Sequence, residues 1–206
     1  PPPAFNYAAW LDFLAEHNHN FFRLWTWEQA KWVNESSDDY YFSPLPYERT
    51  VPGLALDGKP KFDLQRFNEA YFDRLRQRVI AAKEKNIYVS IMLFNGWSIQ
   101  TKGQRNLSQP WNGHPMNVNN NINGINGDIN GNGEGEEIET LMAPDITFLQ
   151  EMYVRKVIDS VNDFDNVLYE VTNEGPENSQ EWQYHMINFI KSCEKTKSKQ
   201  HPVGMT

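Results

Sequence analysis

The residues best suited to chemistry fall in one short run, Val167-Leu168-Tyr169-Glu170-Val171-Thr172-Asn173-Glu174, followed by Gly175-Pro176. Five of its first seven residues are apolar, β-branched or aromatic, which predicts a strand. Alternate residues of a strand share a face, so Glu170, Thr172 and Glu174 are expected to point one way. A carboxylate inside an apolar strand must be paired or hydrogen-bonded, because an isolated buried charge is costly. Glu174 stands where the strand runs into Gly-Pro, and so should emerge at its carboxyl end. Partial burial there raises a carboxyl pKa and suits it to proton transfer. Asn173 beside it can hydrogen-bond a substrate hydroxyl. The plainer reading is that Glu174 caps the next helix or is an ordinary loop carboxylate.

A second constellation lies in the Asn- and Gly-rich stretch 117–135. Residues 128–139 follow the pattern D-x-N-x-N-G-x₅-E, with Asp128, Asn130, Asn132, Glu134 and Glu139 at the ligand positions and Gly133 at the sharp turn. Oxygen donors so spaced suit calcium. The alternative is a solvated polar loop, since no helical pattern flanks the motif and low-complexity sequence makes such matches easier.

The elements that must position these groups alternate in type. Helices are expected over about 7–17, 64–85 (with Asp63 as N-cap), 146–161 and 179–194, and strands over 21–25, 87–93, 167–171 and 202–205. This alternation implies parallel strands joined by crossover helices, hence an α/β fold. No Gly-x-Gly-x-x-Gly follows a strand, which argues against a nucleotide site. The connections after helices are short, whereas long insertions follow the first strand (residues 28–62) and the second (residues 98–144). In a (β/α)₈ barrel the strand-to-helix loops build the active face, so elaboration confined to them implies a substrate cleft. His114 and Trp111 in the second insertion are candidates for a distal subsite. His17 and His19 are expected to be structural or solvated, and Glu177 an ordinary first-turn carboxylate.

Composition narrows the partners. The 206 residues include 19 basic and 27 acidic side chains, for a net charge of −8. Nucleic acid and anionic membranes both need a basic surface and are disfavoured. No apolar run approaches the roughly 20 residues that span a bilayer. The single cysteine, Cys193, excludes an internal disulfide and reads as a buried structural thiol. Seven Trp and an aromatic content of 14% provide platforms for sugar rings or material for a core.

Tyr169-Glu170-Val171-Thr172-Asn173-Glu174-Gly175-Pro176 resembles the fourth-strand signature of clan A glycoside hydrolases, which include the cellulase-like families. Phe22-Arg23-Leu24-Trp25 is similar to that clan's second strand, Trp10 through Trp27 to cellulase-like proteins of bacteria, and the Asn166–Glu170 and His201–Met205 segments fit the same template. The resemblance implies a partial (β/α)₈ TIM barrel, a single catalytic domain over 1–206 covering about strands two to five, with the first strand and the C-terminal half missing. It implies a retaining hydrolase of β-glycosidic bonds in polysaccharide or oligosaccharide, with Glu174 as acid/base and a nucleophilic Glu beyond the chain's end, so that the isolated fragment is inactive. Asn173 would bind the sugar, Arg23 support the carboxylates, Trp25, Trp27 and Trp97 stack on sugar rings, and Asn95 bond to a hydroxyl. No cofactor is required for catalysis, and the protein is expected outside the cytoplasm or in the periplasm. One departure stands out: cellulase-like relatives often carry His at the end of strand three, where this chain reads Phe94-Asn95-Gly96-Trp97. A non-catalytic carbohydrate-binding relative, or a calcium-stabilised one, is the alternative.

Overall fold

The computed structural model describes residues 5–33, 39–100 and 109–205. Helix α1 (Tyr7–Glu16) starts where Asn6 accepts from the Ala9 amide and leads into strand β1 (Phe21–Leu24). The first insertion is not irregular. It holds two antiparallel hairpins, β2 (Lys31–Val33) with β3 (Asp39–Tyr41), and β4 (Tyr47–Leu54) with β5 (Pro60–Phe67). Then come α2 (Glu69–Glu84), β6 (Tyr88–Asn95), the second insertion, α3 (Pro144–Val161), β7 (Val167–Asn173), α4 (Gln180–Glu194) and β8 (Val203–Gly204).

The expected parallel sheet is present, in the order β1-β6-β7-β8. Strand β6 is central and buried at every residue after Tyr88, as a parallel strand covered on both faces must be. One correction concerns α2, which begins at Glu69 with Asn68 as its cap, not at Leu64 with Asp63. Leu64 and Phe67 have helical spacing with Tyr71, but they belong to β5, whose alternate Phe62 and Leu64 are buried. The signal for the hairpin was Asp57-Gly58 between the two strands, with Gly58 at φ 78°.

Two apolar cores result. The first lies between the sheet and the helices and includes Leu11, Val79, Ile91, Val157, Tyr169 and Trp182. The second lies beneath the insertions and gathers Leu45, Phe62, Leu64, Ile99, Trp111 and Ile138. His201 secures β8 from below. Its ring meets Glu194 Oε1 at 2.5 Å and the Phe164 carbonyl at 2.8 Å. Burial pushes its pKa down, but these two acceptors outweigh that and hold the imidazole above its ordinary range. Cys193 is buried, as expected. No helix among the described residues is long and apolar enough to cross a membrane.

Candidate active site

The carboxyl ends of β1, β6 and β7 converge on Asn173 and Glu174. Arg23, in the middle of β1, donates from Nε to Glu170 Oε2 at 2.8 Å and from Nη2 to Glu170 Oε1. The same Nη2 donates to Asn173 Oδ1 at 2.8 Å. Glu170, with 9% of its side chain exposed, thus has the paired cation its burial requires. Arg23 is committed to Glu170 and Asn173, a positioning role rather than a surface salt bridge. Asn173 Nδ2 also donates to Asn95 Oδ1 at 3.3 Å, and Asn95 Nδ2 to the Thr26 carbonyl at 3.3 Å. The Asn95–Asn173 pair therefore links the ends of three strands. Asn95 is fully buried, and its place is in this relay.

Strict alternation fails at the end of β7. Glu170 turns to Arg23, but Thr172 donates to Glu139 Oε1 at 2.8 Å and accepts from the Gly96 amide at 3.3 Å. Glu174 takes φ 51°, a left-handed conformation that few non-glycine residues adopt, and this breaks the extended chain. Its side chain is exposed at the mouth of the sheet. Two glycines fit around it. A Cβ on Gly96 would lie 2.2 Å from the Glu174 carbonyl oxygen, and one on Gly175 would lie 2.8 Å from Thr172 Cγ2. The Gly96 that follows Asn95 lets the end of β6 lie directly against the Glu174 backbone.

Beside this mouth stands an aromatic shelf. Trp27 lies 5.9 Å from Trp25, 5.3 Å from Phe42 in a stacked pair, and 5.3 Å edge-on from Trp97. Trp32 extends it, 5.2 Å from Trp97. Trp25 is 43% exposed and has the Arg23 guanidinium 5.3 Å from its ring. A cleft of about 640 Å³ runs along the shelf, lined by Trp25, Trp27, Phe42, Arg74 and Met92 among others. Trp25, Trp27 and Trp97 are thus brought together; Trp32 and Phe42, which the sequence did not single out, come from the hairpin insertion.

One further carboxylate, Glu28, was missed, and a second, Glu139, has a different setting from the one expected. Glu28, four residues after β1, accepts from the Asn95 amide at 2.7 Å and lies 3.4 Å from His114 Nε2. Met116 N donates to His114 Nδ1 at 3.1 Å, which leaves Nε2 to carry the proton toward Glu28. Glu139 is 1% exposed. Burial first, and then the charge of Glu28, push its pKa well above the ordinary carboxylate range, against the opposing bond from Thr172. Two expectations can be set against the structure here. Glu139, expected as a calcium ligand with Asp128, Asn130, Asn132 and Glu134, accepts from Thr172 of β7. Trp111 and His114, expected at a distal subsite, are 2% exposed and stacked on each other, Trp111 within the second core.

The chain is similar in fold to glycoside hydrolases. A glycoside hydrolase family 5 protein from Bacteroides vulgatus ATCC 8482 superposes with a TM-score of 0.51 at 12% identity, over 97% of this chain and 31% of that one. A family 5 mannosidase from Rhizomucor miehei gives 0.53 at 18%, over 95% and 44%. The endo-1,4-β-D-mannanase of Thermotoga petrophila RKU-1 gives 0.53 at 18%, over 95% and 49%. The chain thus spans between about a third and a half of these enzymes, and at such identities the likeness is one of fold. No curated protein matches the sequence. A family described as Domain of unknown function (DUF6298) matches residues 6–206, and this chain belongs to that family.

Proposed function

We propose that this chain contributes the acid/base half of a retaining glycoside hydrolase acting on β-linked oligosaccharide or polysaccharide. The observation behind the proposal is the exposed Glu174, held in a left-handed backbone beside the anchored Asn173 and within one mouth with the Trp25–Trp27–Trp97 shelf. Aromatic faces suit the apolar faces of pyranose rings. Glu174 protonates the leaving-group oxygen and then deprotonates the attacking water, while a second carboxylate from a later barrel strand acts as nucleophile. Arg23 and Asn95 fix the Asn173 amide, which binds a sugar hydroxyl. The chain is then a segment of a (β/α)₈ barrel, with β1, β6, β7 and β8 as its second to fifth strands. The mannoside-active neighbours make β-mannosides a sensible first substrate panel, beside β-glucosides.

The test is Glu174→Gln in the full-length protein. Turnover of polysaccharide should fall by about 10²–10⁴-fold, the usual worth of a positioned acid/base. Aryl glycosides with good leaving groups should still form the glycosyl-enzyme, and azide should restore their turnover. Wild-type polysaccharide hydrolysis by the variant would remove Glu174 from the mechanism.

A further inference from the structure

We propose that the second insertion holds a calcium ion between Asp128 and Glu137, with Glu137 rather than Glu139 as its closing carboxylate. The loop already closes on itself through its own side chains. Gly133, at φ 89°, donates its amide to Asp128 Oδ2 at 3.0 Å. Asn130 Oδ1 accepts from the Asn132 amide at 2.8 Å, and Asn132 Oδ1 from the Glu134 amide at 2.9 Å. Asp128, Asn130 and Asn132 are thereby gathered on one turn, as in loops that ligate calcium through side-chain oxygens and a following backbone carbonyl.

The observation that points to a ligand lies across the loop. Glu137 is 6% exposed, and its carboxylate faces the turn, where Asn130 Nδ2 donates to its Oε1. Its Oε2 is buried and has no hydrogen-bond partner; the same is true of Asp128 Oδ1 and of Glu139 Oε2, but the other oxygen of Glu139 is held by Thr172 on β7 rather than by the turn. Two carboxylate oxygens withdrawn from water and left without a donor are expensive, and native structures rarely tolerate even one such atom. The surrounding segment is not short of donors, since the Asn120 amide reaches two carbonyls and the Asn121 amide three. A divalent cation meets the need of both oxygens at once. The donor set is two carboxylates, two Asn side-chain oxygens and the Glu134 carbonyl. This is hard, oxygen-only and irregular, which favours calcium over magnesium with its strict octahedron.

The ion would secure more than its own loop. Gly127 and Gly135 press against the Trp111 indole, where a Cβ on either would lie within 2.6 Å of a ring carbon. The Gly135 amide donates to the Ile99 carbonyl at 2.8 Å. Glu136–Glu139 forms a 3-10 turn, and its last residue reaches Thr172 on β7. Closing the loop therefore fixes the second core and, through that turn, the underside of the Glu174 mouth.

The full-length protein, freed of metal by chelation, should be titrated with calcium by calorimetry and with terbium by luminescence, with excitation through the adjacent Trp111. One saturable calcium is expected, displacing terbium, while equal magnesium does not. Glu137→Gln and Asp128→Asn should each weaken calcium by at least about tenfold, because ligand charge sets affinity. Glu139→Gln should change it less than about threefold. Near-UV circular dichroism checks that each variant folds, and Glu137→Asp replaces Glu137→Gln if that variant does not. Absence of saturable binding by the wild type overturns the proposal. Equal loss in Glu139→Gln and Glu137→Gln also overturns it, in favour of the longer loop pattern.

Discussion

Around Val79, Val157 and Trp182 the chain buries aliphatic and aromatic side chains between helices and a parallel sheet, whereas around Trp111 it surrounds its apolar residues with buried asparagines. In the first region the backbone satisfies itself through helix and ladder bonds, so the side chains are free to be apolar. In the second, the second insertion has little regular ladder of its own, and its side chains must supply the missing partners. Asn121 is 2% exposed, and its amide reaches the Pro115, Asn117 and Ile125 carbonyls, each at 3.0 Å, while its oxygen accepts from the Ile125 amide. Asn120 bridges the Asn112 and His114 carbonyls and accepts from Leu56 N at 2.9 Å. The segment then runs beside β5, with Phe62 N donating to the Asn120 carbonyl and Ile122 N to the Phe62 carbonyl. One insertion thus fastens the other, and a layer of insertions can be ordered by amide chemistry where apolar periodicity is lacking.

If that contrast holds, the largest loss of stability should come from the helical core. Trp182 is fully buried, lies 5.1 Å from Phe94 and donates its indole N–H to Gln150 Oε1 at 2.9 Å. Trp182→Ala should cost about 3–5 kcal/mol, the usual range for an aromatic deleted from a core. Denaturant unfolding of the full-length protein measures it. A loss under about 1 kcal/mol would mean that the sheet–helix interface is not the dominant core.

A smaller but more localised loss should follow Asn121→Ala, which takes this partner from the Pro115 and Ile125 carbonyls and from the Ile125 amide. The expected cost is about 1–3 kcal/mol. Hydrogen exchange separates it from a global effect: the amides of Ile122 and Ile125 should lose protection while those of α3 and β7 keep theirs. The exposed neighbour Asn119 should tolerate Ala within about 0.5 kcal/mol. Uniform loss of protection after Asn121→Ala would merge the two regions into one cooperative unit.

The same contrast explains what the sequence disclosed. Helices α1, α3 and α4 and all four sheet strands were legible because apolar spacing reports local geometry and the face each element must bury. The parallel strands followed from the alternation, and the placement of Glu174 at a strand end from the Gly175-Pro176 after it. The hairpins of the first insertion did not, and α2 was begun too early, because Leu64 and Phe67 suit a helix locally and are claimed by β4 and the second core only in three dimensions. The Asn/Gly segment read as a polar loop or a cation loop, since nothing local says which amide will find which carbonyl. Arg23 was read as support for the carboxylates, and its partner proved to be Glu170. Glu139 was assigned by motif position, but Thr172, distant in sequence, decides where its carboxyl goes.

The finest test of the boundary between the regions is Glu139, where the insertion touches the sheet. Its folded-state pKa is raised, by burial and by Glu28, above that of an unfolded carboxyl. Below the unfolded value, about 4.3 for Glu, the group is protonated in both states and the neutral acid costs nothing. As pH rises toward and through the folded value, the unfolded chain releases its proton more readily than the native one, so stability is lost with increasing pH. Glu139→Gln keeps the size and hydrogen-bonding capacity but cannot ionise. The variant should therefore match the wild type in acid and gain on it steadily above the ordinary carboxylate range. The quantity to measure is the difference between the two melting temperatures as a function of pH, in which the His201–Glu194 pair and the other titrations not coupled to Glu139 cancel. A difference that is flat across that range, or that grows in the wild type's favour, would show that Glu139 is ionised in the native state and held there by partners stronger than Thr172.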